Sequence, residues 1–487
     1  MIRDTFLFNP FFVYPIYRRQ TVKFFSSLHR SNFLVFTGAC VAVLFLSLAA
    51  FSQSDRNSGR KSSGQQGVEM PQYQIFDIGL VQPTDDASQG VRVSPGGIAV
   101  GRSMRSGGSQ AFTWTGSGGI VGLGELSGFS YCVSNSANDF GFVVGTCAQT
   151  FFGSNRQPVI WQNGIATVLP FPAGQTIGDA NQINSSGVAV GSAGGGSLQF
   201  GVIYSGGTAT AITQTTSGGS FFVTAFGIND SGRVVGQGID PNNAARNVGI
   251  VYDIGSDQAF EVTGLSGTNG ALAFGVSNAG HVVGSAMMNQ GSGTPFIWTE
   301  AGGMTAIPLP VGTSQGSARG VNSNGWTVGI ASSAFAIPFL YDGTATYRVA
   351  DLIPPGTGWD LSTNTSSSAM GISEDNVIVG TGVLNGEVHA YAMVPVENTV
   401  NVSLSGRVLH ANGIPIGNAI VTISGGNLPG TISARTGSFG YFQFDELEAG
   451  MTYTVSVRMR HYTFGEPTRI VTPDANITDL DFITNGE

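Results

Sequence analysis

Charge is scarce in this chain: only 10% of its 487 residues are Asp, Glu, Lys or Arg. What charge there is does not suit phosphate. Without the five bases and one acid of residues 1–52, 16 basic residues face 29 acidic ones, a net charge of −13. That balance excludes the basic stripes with which proteins hold nucleic acid. Histidine is equally thin. His29, His281, His389, His410 and His461 are scattered, and none has the spacing of a metal site. Carboxylates are too sparse for any two to be placed as general acid and base. GTSQG at 312–316 fits a nucleophile-elbow string around Ser314, but it lies between repeated units, not on a strand-to-helix turn. No catalytic residue, metal or cofactor is expected.

What the chain does have is glycine, 72 residues of it, with 41% apolar residues, so it is not a disordered polymer. Long apolar runs are limited to FLVFTGACVAVLFLSLAAF at 33–51. This run predicts one N-terminal apolar helix. Arg3, Arg18, Arg19, Lys23 and Arg30 precede it, which places the N-terminus in the cytoplasm and the rest outside. Residues 1–52 are read as either a signal peptide cleaved before Gln53 or an uncleaved signal anchor, the only membrane contact expected. Residues 53–72 are polar and Gly/Ser-rich and read as a flexible linker.

GINDSGRVVG, at 227–236, recurs along the chain. Its final glycine aligns with Gly101, Gly145, Gly191, Gly284, Gly329 and Gly380, at spacings between 44 and 51 residues. A period near 45 indicates a propeller or a related array. Each unit continues through a variable loop into a strand with an aromatic, such as PVIW (158–161) or PFIW (295–298), and then a final strand. The unit therefore has four strands, a to d. The series begins with a spare d-like strand, YQIFDIGL at 73–80, and ends on a c strand, AYAM at 390–393. Pairing those ends closes a ring and removes two open edges. The expectation is an all-β chain: a seven-bladed β-propeller over 73–396, closed by its N-terminal strand, then a small β-sandwich.

The polar half of the motif reads as an a–b hairpin turn and not as a ligand loop. Its glycine position holds Gly97, Gly141, Gly187, Gly232, Gly280, Gly325 and Asn376, the residue types most at ease with positive φ. Its acidic position is not kept as a carboxylate, as a repeated calcium loop would need. Counting outward from the turn at 138–141 sets Cys132 opposite Cys147. They are either a cross-strand disulfide, in an oxidising compartment, or two free buried thiols.

In such a meander the b–c loops and d–a connections share one face, and there the sequence varies most. Insertions gathered on one face mark the binding side of a repeat array, or else solvated loops free to drift. The contact candidates are Trp359, Asp360, Phe151, Phe152, Arg156 and Arg246. The partner would be a glycan, a protein or a cell-envelope component, and the protein is read as a monomer. The alternative is an extracellular carbohydrate-active enzyme, a hydrolase or lyase, with its site at the channel mouth.

Two resemblances carry this further. Residues 400–484 contain Ser405-Gly406-Arg407-Val408, Gly413-Ile414-Pro415-Ile416, Asn418-Ala419, Gly440, Phe442, Phe444 and Tyr453. They resemble the carboxypeptidase regulatory-like domain, a prealbumin-like sandwich. The resemblance implies a non-catalytic accessory module. The repeats, as in GVSNAGHVVG…PFIW, resemble bacterial extracellular HAF repeats, which implies an exported protein but no defined activity. Ser136-Ala137, Gln182 and Asn376 depart from that pattern.

Overall fold

The computed structural model describes residues 70–151, 153, 155–195, 198–287, 293–396 and 401–486. The apolar helix expected over 33–51 lies outside the described residues, as do the leader and most of the linker. Among the described residues no helix is long and apolar enough to cross a membrane. The chain divides into two compact units, one through Val394 and one from Pro395.

The first unit is built of antiparallel meanders. Its a strands are Ala87–Val93, Tyr131–Ala137, Ile177–Ile183, Phe221–Ile228, Gly270–Val276, Gln315–Val321 and Ser368–Ile372. Each pairs with the b strand that comes after it, and b pairs with c. The first two meanders join into one eight-stranded sheet through a single parallel bridge, Ser109 to Tyr131. At the other end the c strand Glu387–Pro395 takes Tyr73–Asp77 as its neighbour. The Ile78 amide donates to the Ala390 carbonyl at 3.0 Å, and Asp77 meets His389 at 2.9 Å.

The seven repeat glycines have a common steric cause. Every a strand carries a β-bulge one residue after the partner of that glycine, as at Ala225/Gly227 and Ala318/Gly320. The bulge turns a carbonyl toward the b strand. A Cβ on Gly101, Gly145, Gly191, Gly236, Gly284, Gly329 or Gly380 would lie between 1.8 and 2.2 Å from that oxygen. In six of the seven an aromatic ring also closes in, as the Phe339 ring does at 2.7 Å from Gly329. The aromatic of strand c packs into the space that the missing side chain leaves; Phe112, Trp161, Phe296, Phe339 and Tyr391 are all fully buried.

The a–b turns also have one pattern. In the second repeat the Asn138 amide donates to the Phe142 carbonyl and the Gly141 amide to the Asn138 carbonyl. This is a three-residue loop ending in a left-handed residue. Gly97, Gly141, Gly187, Gly232, Gly280 and Gly325 have φ between 79° and 93°, and Asn376 has 61°. The loop is one residue longer than the count from the Asn138/Gly141 pair assumed. The bulge at Ser134/Ser136 takes the slip back, so Cys132 still faces Cys147 and the two form a disulfide.

Two other expectations change. The final strand of the sixth repeat, expected to run through YRVADLI at 347–353, stops pairing after Thr346–Arg348. A 3-10 turn at Val349–Leu352 comes next, because it drives both Val349 and Leu352 into the core. The long d–a insertion at 353–368 is not all loop. Trp359–Asp360 adds a short strand against Val383 and Leu384.

The second unit has two sheets. One contains Asn401–Leu409, Tyr441–Glu448 and Phe482–Ile483; the other contains Ile420–Gly425, Ile432–Arg435, Tyr453–Arg458 and Thr468–Val471. Alternation in VNVSLSGRV and YTVSVRM puts Val402, Leu404, Val408, Tyr453, Val455 and Val457 into one shared core.

Candidate functional site

The ends of all seven a strands line a single cavity with room for about 120 Å³ of solvent. It opens among the a–b turns. Sequence alone assigns that end to structure and places function on the opposite face.

The rim is a belt of turn-to-turn hydrogen bonds. Each turn asparagine works in two directions. Its Oδ1 accepts from its own loop, as Asn184 does from the Val188 amide at 2.9 Å. Its Nδ2 donates to the next unit: Asn138 to the Asn184 carbonyl, Asn184 to that of Asn229, Asn229 to that of Ser277 and Asn322 to that of Ser373. The three rim carboxylates are also committed. Asp139 accepts from Ser94 and Gly96, Asp230 from Ser185 and Asn278, and Glu374 from Ser323 twice. So the N-D-S-G string is a turn, and in addition the joint between neighbouring units.

The wall is uneven. Two residues before the turn asparagine, the later units have Gly227, Gly275, Gly320 and Gly371, whereas the first three have Arg92, Ser136 and Gln182. The glycines permit close approach of adjacent strands; a Cβ on Gly371 would lie 2.8 Å from the Val93 nitrogen. On the open side Arg92 reaches past the second unit to the third, where its Nη1 donates to Gln182 Oε1 at 3.2 Å. Below lies the layer of bulge residues. There Arg319 lies with its guanidinium carbon 4.1 Å from the Phe274 ring centre, and Phe274 meets Phe226 at 5.4 Å. Burial pushes the Arg92 guanidinium down to about 10. Burial, then the repulsion of Arg92, does the same to Arg319. Both are still charged at neutral pH.

The six loop residues singled out from the sequence do not form one constellation. Phe152 lies outside the described residues. Phe151 is 38% exposed and stacks edge-on with Tyr131 beside Arg102. Arg156 makes a two-pronged bond to Asp179 of the next unit, at 2.9 and 3.1 Å. Arg246 binds Asp240, Glu261 and the Asn269 carbonyl, tying its b–c hairpin to its own d strand and to the next unit. Desolvation works against its charge, but the two acids outweigh it and raise the pKa. Trp359 packs on Tyr391 at 5.8 Å. Burial works to raise the Asp360 carboxyl; the Ser362 and Thr363 amides and the Thr363 hydroxyl outweigh it and hold the carboxyl below its usual range. Ser314 sits before the strand Gln315–Val321, not on a strand-to-helix elbow. Among the described residues no three His, Cys, Asp or Glu side chains gather as metal ligands.

Arg92 and Arg319 were missed from sequence, and Gln182 was noted only as a departure from the repeat pattern. One signal was available: reading the aligned copies by column shows Arg92 and Gln182 where the later units have glycine.

These features define an all-β chain of repeated four-stranded meanders with a separate β domain after them. Residues 403–484 match the carboxypeptidase regulatory-like domain family, as the sequence resemblance implied. No curated protein matches the chain. Among solved structures, a streptogramin B lyase is 13% identical over 66% of this chain and 98% of its own, with a TM-score of 0.40. An oligogalacturonate lyase from Vibrio parahaemolyticus is 10% identical over 67% and 98%, with a TM-score of 0.41. TolB from Acinetobacter baumannii is 10% identical over 64% of each chain, with a TM-score of 0.36. At TM-scores this low they say nothing of what this chain does.

Proposed function

We propose that residues 73–396 are a closed seven-bladed β-propeller of the HAF-repeat kind. The whole chain would then be an exported bacterial surface or secreted protein that acts by binding and has no catalytic activity. Closure is supported by the convergence of seven a strands on one cavity and by the pairing of Tyr73–Asp77 with Glu387–Pro395. Export is supported by the Cys132–Cys147 disulfide, a bond at home in oxidising compartments. The partner, a glycan, a protein or an envelope component, meets the b–c/d–a face.

One observation carries the binding reading. The charged side chains of that face, Arg156, Arg246 and Asp360, are spent on bonds within the protein, while apolar ones are presented to solvent. Val311, in a d–a connection, is 88% exposed, and Phe335 and Phe151, in b–c loops, stand partly out. Exposed aromatic and aliphatic groups over a rigid frame suit association. The rival enzyme reading needs a free general acid, and the three rim carboxylates are held by turn donors.

The test is binding of the full-length chain to a glycan array and to isolated cell envelope, beside Val311→Ser/Phe335→Ala. Loss of retention in that variant, with melting unchanged, supports the reading. Release of reducing or unsaturated sugar ends from a retained polysaccharide would overturn it in favour of the enzyme.

A further inference from the structure

The outer face of the four-stranded sheet in the second unit carries charge of one sign only. Val421, Ile423, Val455 and Val457 point into the core, so the residues that alternate with them point out. Two rows cross the sheet on that side. In one, Ile420 is in register with Arg435 on one neighbouring strand and with Arg458 on the other. In the next, Ser433, Thr422, Ser456 and Thr468 stand side by side, one from each strand. Both arginines are exposed, and two strand spacings, about 10 Å, separate their backbones.

Other arginines are met by carboxylates: Arg105 by Glu125, Arg233 by Asp253 and Glu300, Arg469 by Glu466. Arg435 and Arg458 form no ion pair and no side-chain hydrogen bond among the described residues. None of the four strands contains an acid. Glu466, just before the strand that begins at Thr468, is held by Arg469 at 3.2 Å. In a chain whose acids outnumber its bases, this face is a local reversal. Its hydroxyls are only partly used. Thr422 donates to the Ser456 carbonyl at 3.3 Å, and the Ser456 and Thr468 hydroxyls share one bond at 2.9 Å. Each hydroxyl offers one donor and two lone pairs, so the row has bonds left to give.

We propose that this face binds a uronate-bearing polysaccharide laid across the strands. Arg435 and Arg458 take carboxylates from separate sugars, and the Ser/Thr row meets the ring hydroxyls. The planar guanidinium fork fits a carboxylate with two parallel bonds. Two cations on an otherwise acidic chain are too few to hold a nucleic acid or an anionic bilayer. A polymer with spaced charges and many hydroxyls matches what the face presents. The site belongs to the second unit and stands whether or not the b–c/d–a face of the first has a partner.

The experiment measures retention of the full-length chain on immobilised alginate and hyaluronan, on the carboxyl-reduced form of each, on duplex DNA and on vesicles rich in phosphatidylserine. The expected result is saturable retention on at least one uronate polymer, weakened by salt and lost on its carboxyl-reduced form. Arg435→Gln and Arg458→Gln should each weaken it about tenfold, with melting unchanged because both side chains are exposed. Arg407→Gln, on the other sheet, should leave it as in wild type. Four results overturn the proposal: retention on neither uronate polymer, equal retention on the carboxyl-reduced form, Arg407→Gln weakening binding as much as Arg435→Gln, or DNA or vesicles held as tightly as the polysaccharide.

Discussion

Substituting Gly236 by alanine tests the link between the repeat motif and the bulged a strand. The added Cβ would stand 2.0 Å from the Thr224 carbonyl oxygen and 3.0 Å from both Ala225 Cα and the Phe222 ring. The oxygen would have to retreat by about 1.4 Å to reach an ordinary contact. It cannot do so alone, since Thr224 and Ala225 are in register with Gln237 and Gly236. The expected loss is at least about 3 kcal/mol, the upper end for one methyl group forced into a packed core. In thermal unfolding monitored by tryptophan fluorescence this is a fall of about 5 °C or more. The control is four residues away. Gly232 has φ +83° and only the Ile254 side chain at 3.4 Å, so Gly232→Ala strains the backbone without a clash, at roughly 1–2 kcal/mol. Gly232→Asn reproduces what Asn376 does at φ 61° and should cost under about 1 kcal/mol. Gly236→Ala melting within about 1 °C of wild type, or Gly232→Asn costing as much as Gly236→Ala, would refute the reasoning.

The turn belt predicts a graded series. Asn184→Ser keeps the bond to its own loop, as Ser277 and Ser373 do, and loses the bond to Asn229, for about 1 kcal/mol. Asn184→Ala loses both and leaves the Val188 amide without that acceptor, for about 2–3 kcal/mol, read from urea midpoints. Replacing Cys132 and Cys147 together by serine releases a cross-link with a sequence separation of 15, and should lower stability by about 3 kcal/mol in the same assay. Asp360→Asn should cost about 1 kcal/mol at neutral pH by weakening the bonds to Ser362 and Thr363. Because the folded carboxyl titrates below its unfolded value, its stabilisation is complete above the unfolded pKa. It fades as pH falls through the folded one. Wild type and variant should therefore converge in acid melts.

The strands and turns were legible because each is written several times. One copy of N-D-S-G is compatible with a metal loop, but seven copies show which positions drift and which keep positive φ. The reason for the V-V-G glycine was not legible. It depends on a carbonyl that turns only when the partner strand bulges, and nothing in Gly-Ile-Asn-Asp announces an extra residue. The Cys132–Cys147 register came out of two slips that cancel, a longer loop and a bulge. YRVADLI misled because Val349 and Leu352 satisfy a strand pattern while their burial is achieved by a 3-10 turn. Arg156 and Arg246 looked like free loop cations because their acids, Asp179, Asp240 and Glu261, lie on different strands. Proximity across strands is not written in spacing. Arg92 and Arg319 were lost for the converse reason: an arginine in a strand reads as a solvated residue until the neighbouring strands, with Gln182 and Phe274, are in place around it.

The pairing of Tyr73–Asp77 with Glu387–Pro395 has a mechanical consequence. The chain enters and leaves the repeat unit on adjacent strands of one sheet. Any tension applied between Met70 and Val396 therefore falls on that single ladder, and the other meanders are bypassed. The strand at 73–77 would act as a fuse: it is short, it can be peeled away, and it can be laid back while the other meanders are still in place. A pulling experiment across these two points should record a small early rupture well below the force that unravels the remaining sheets.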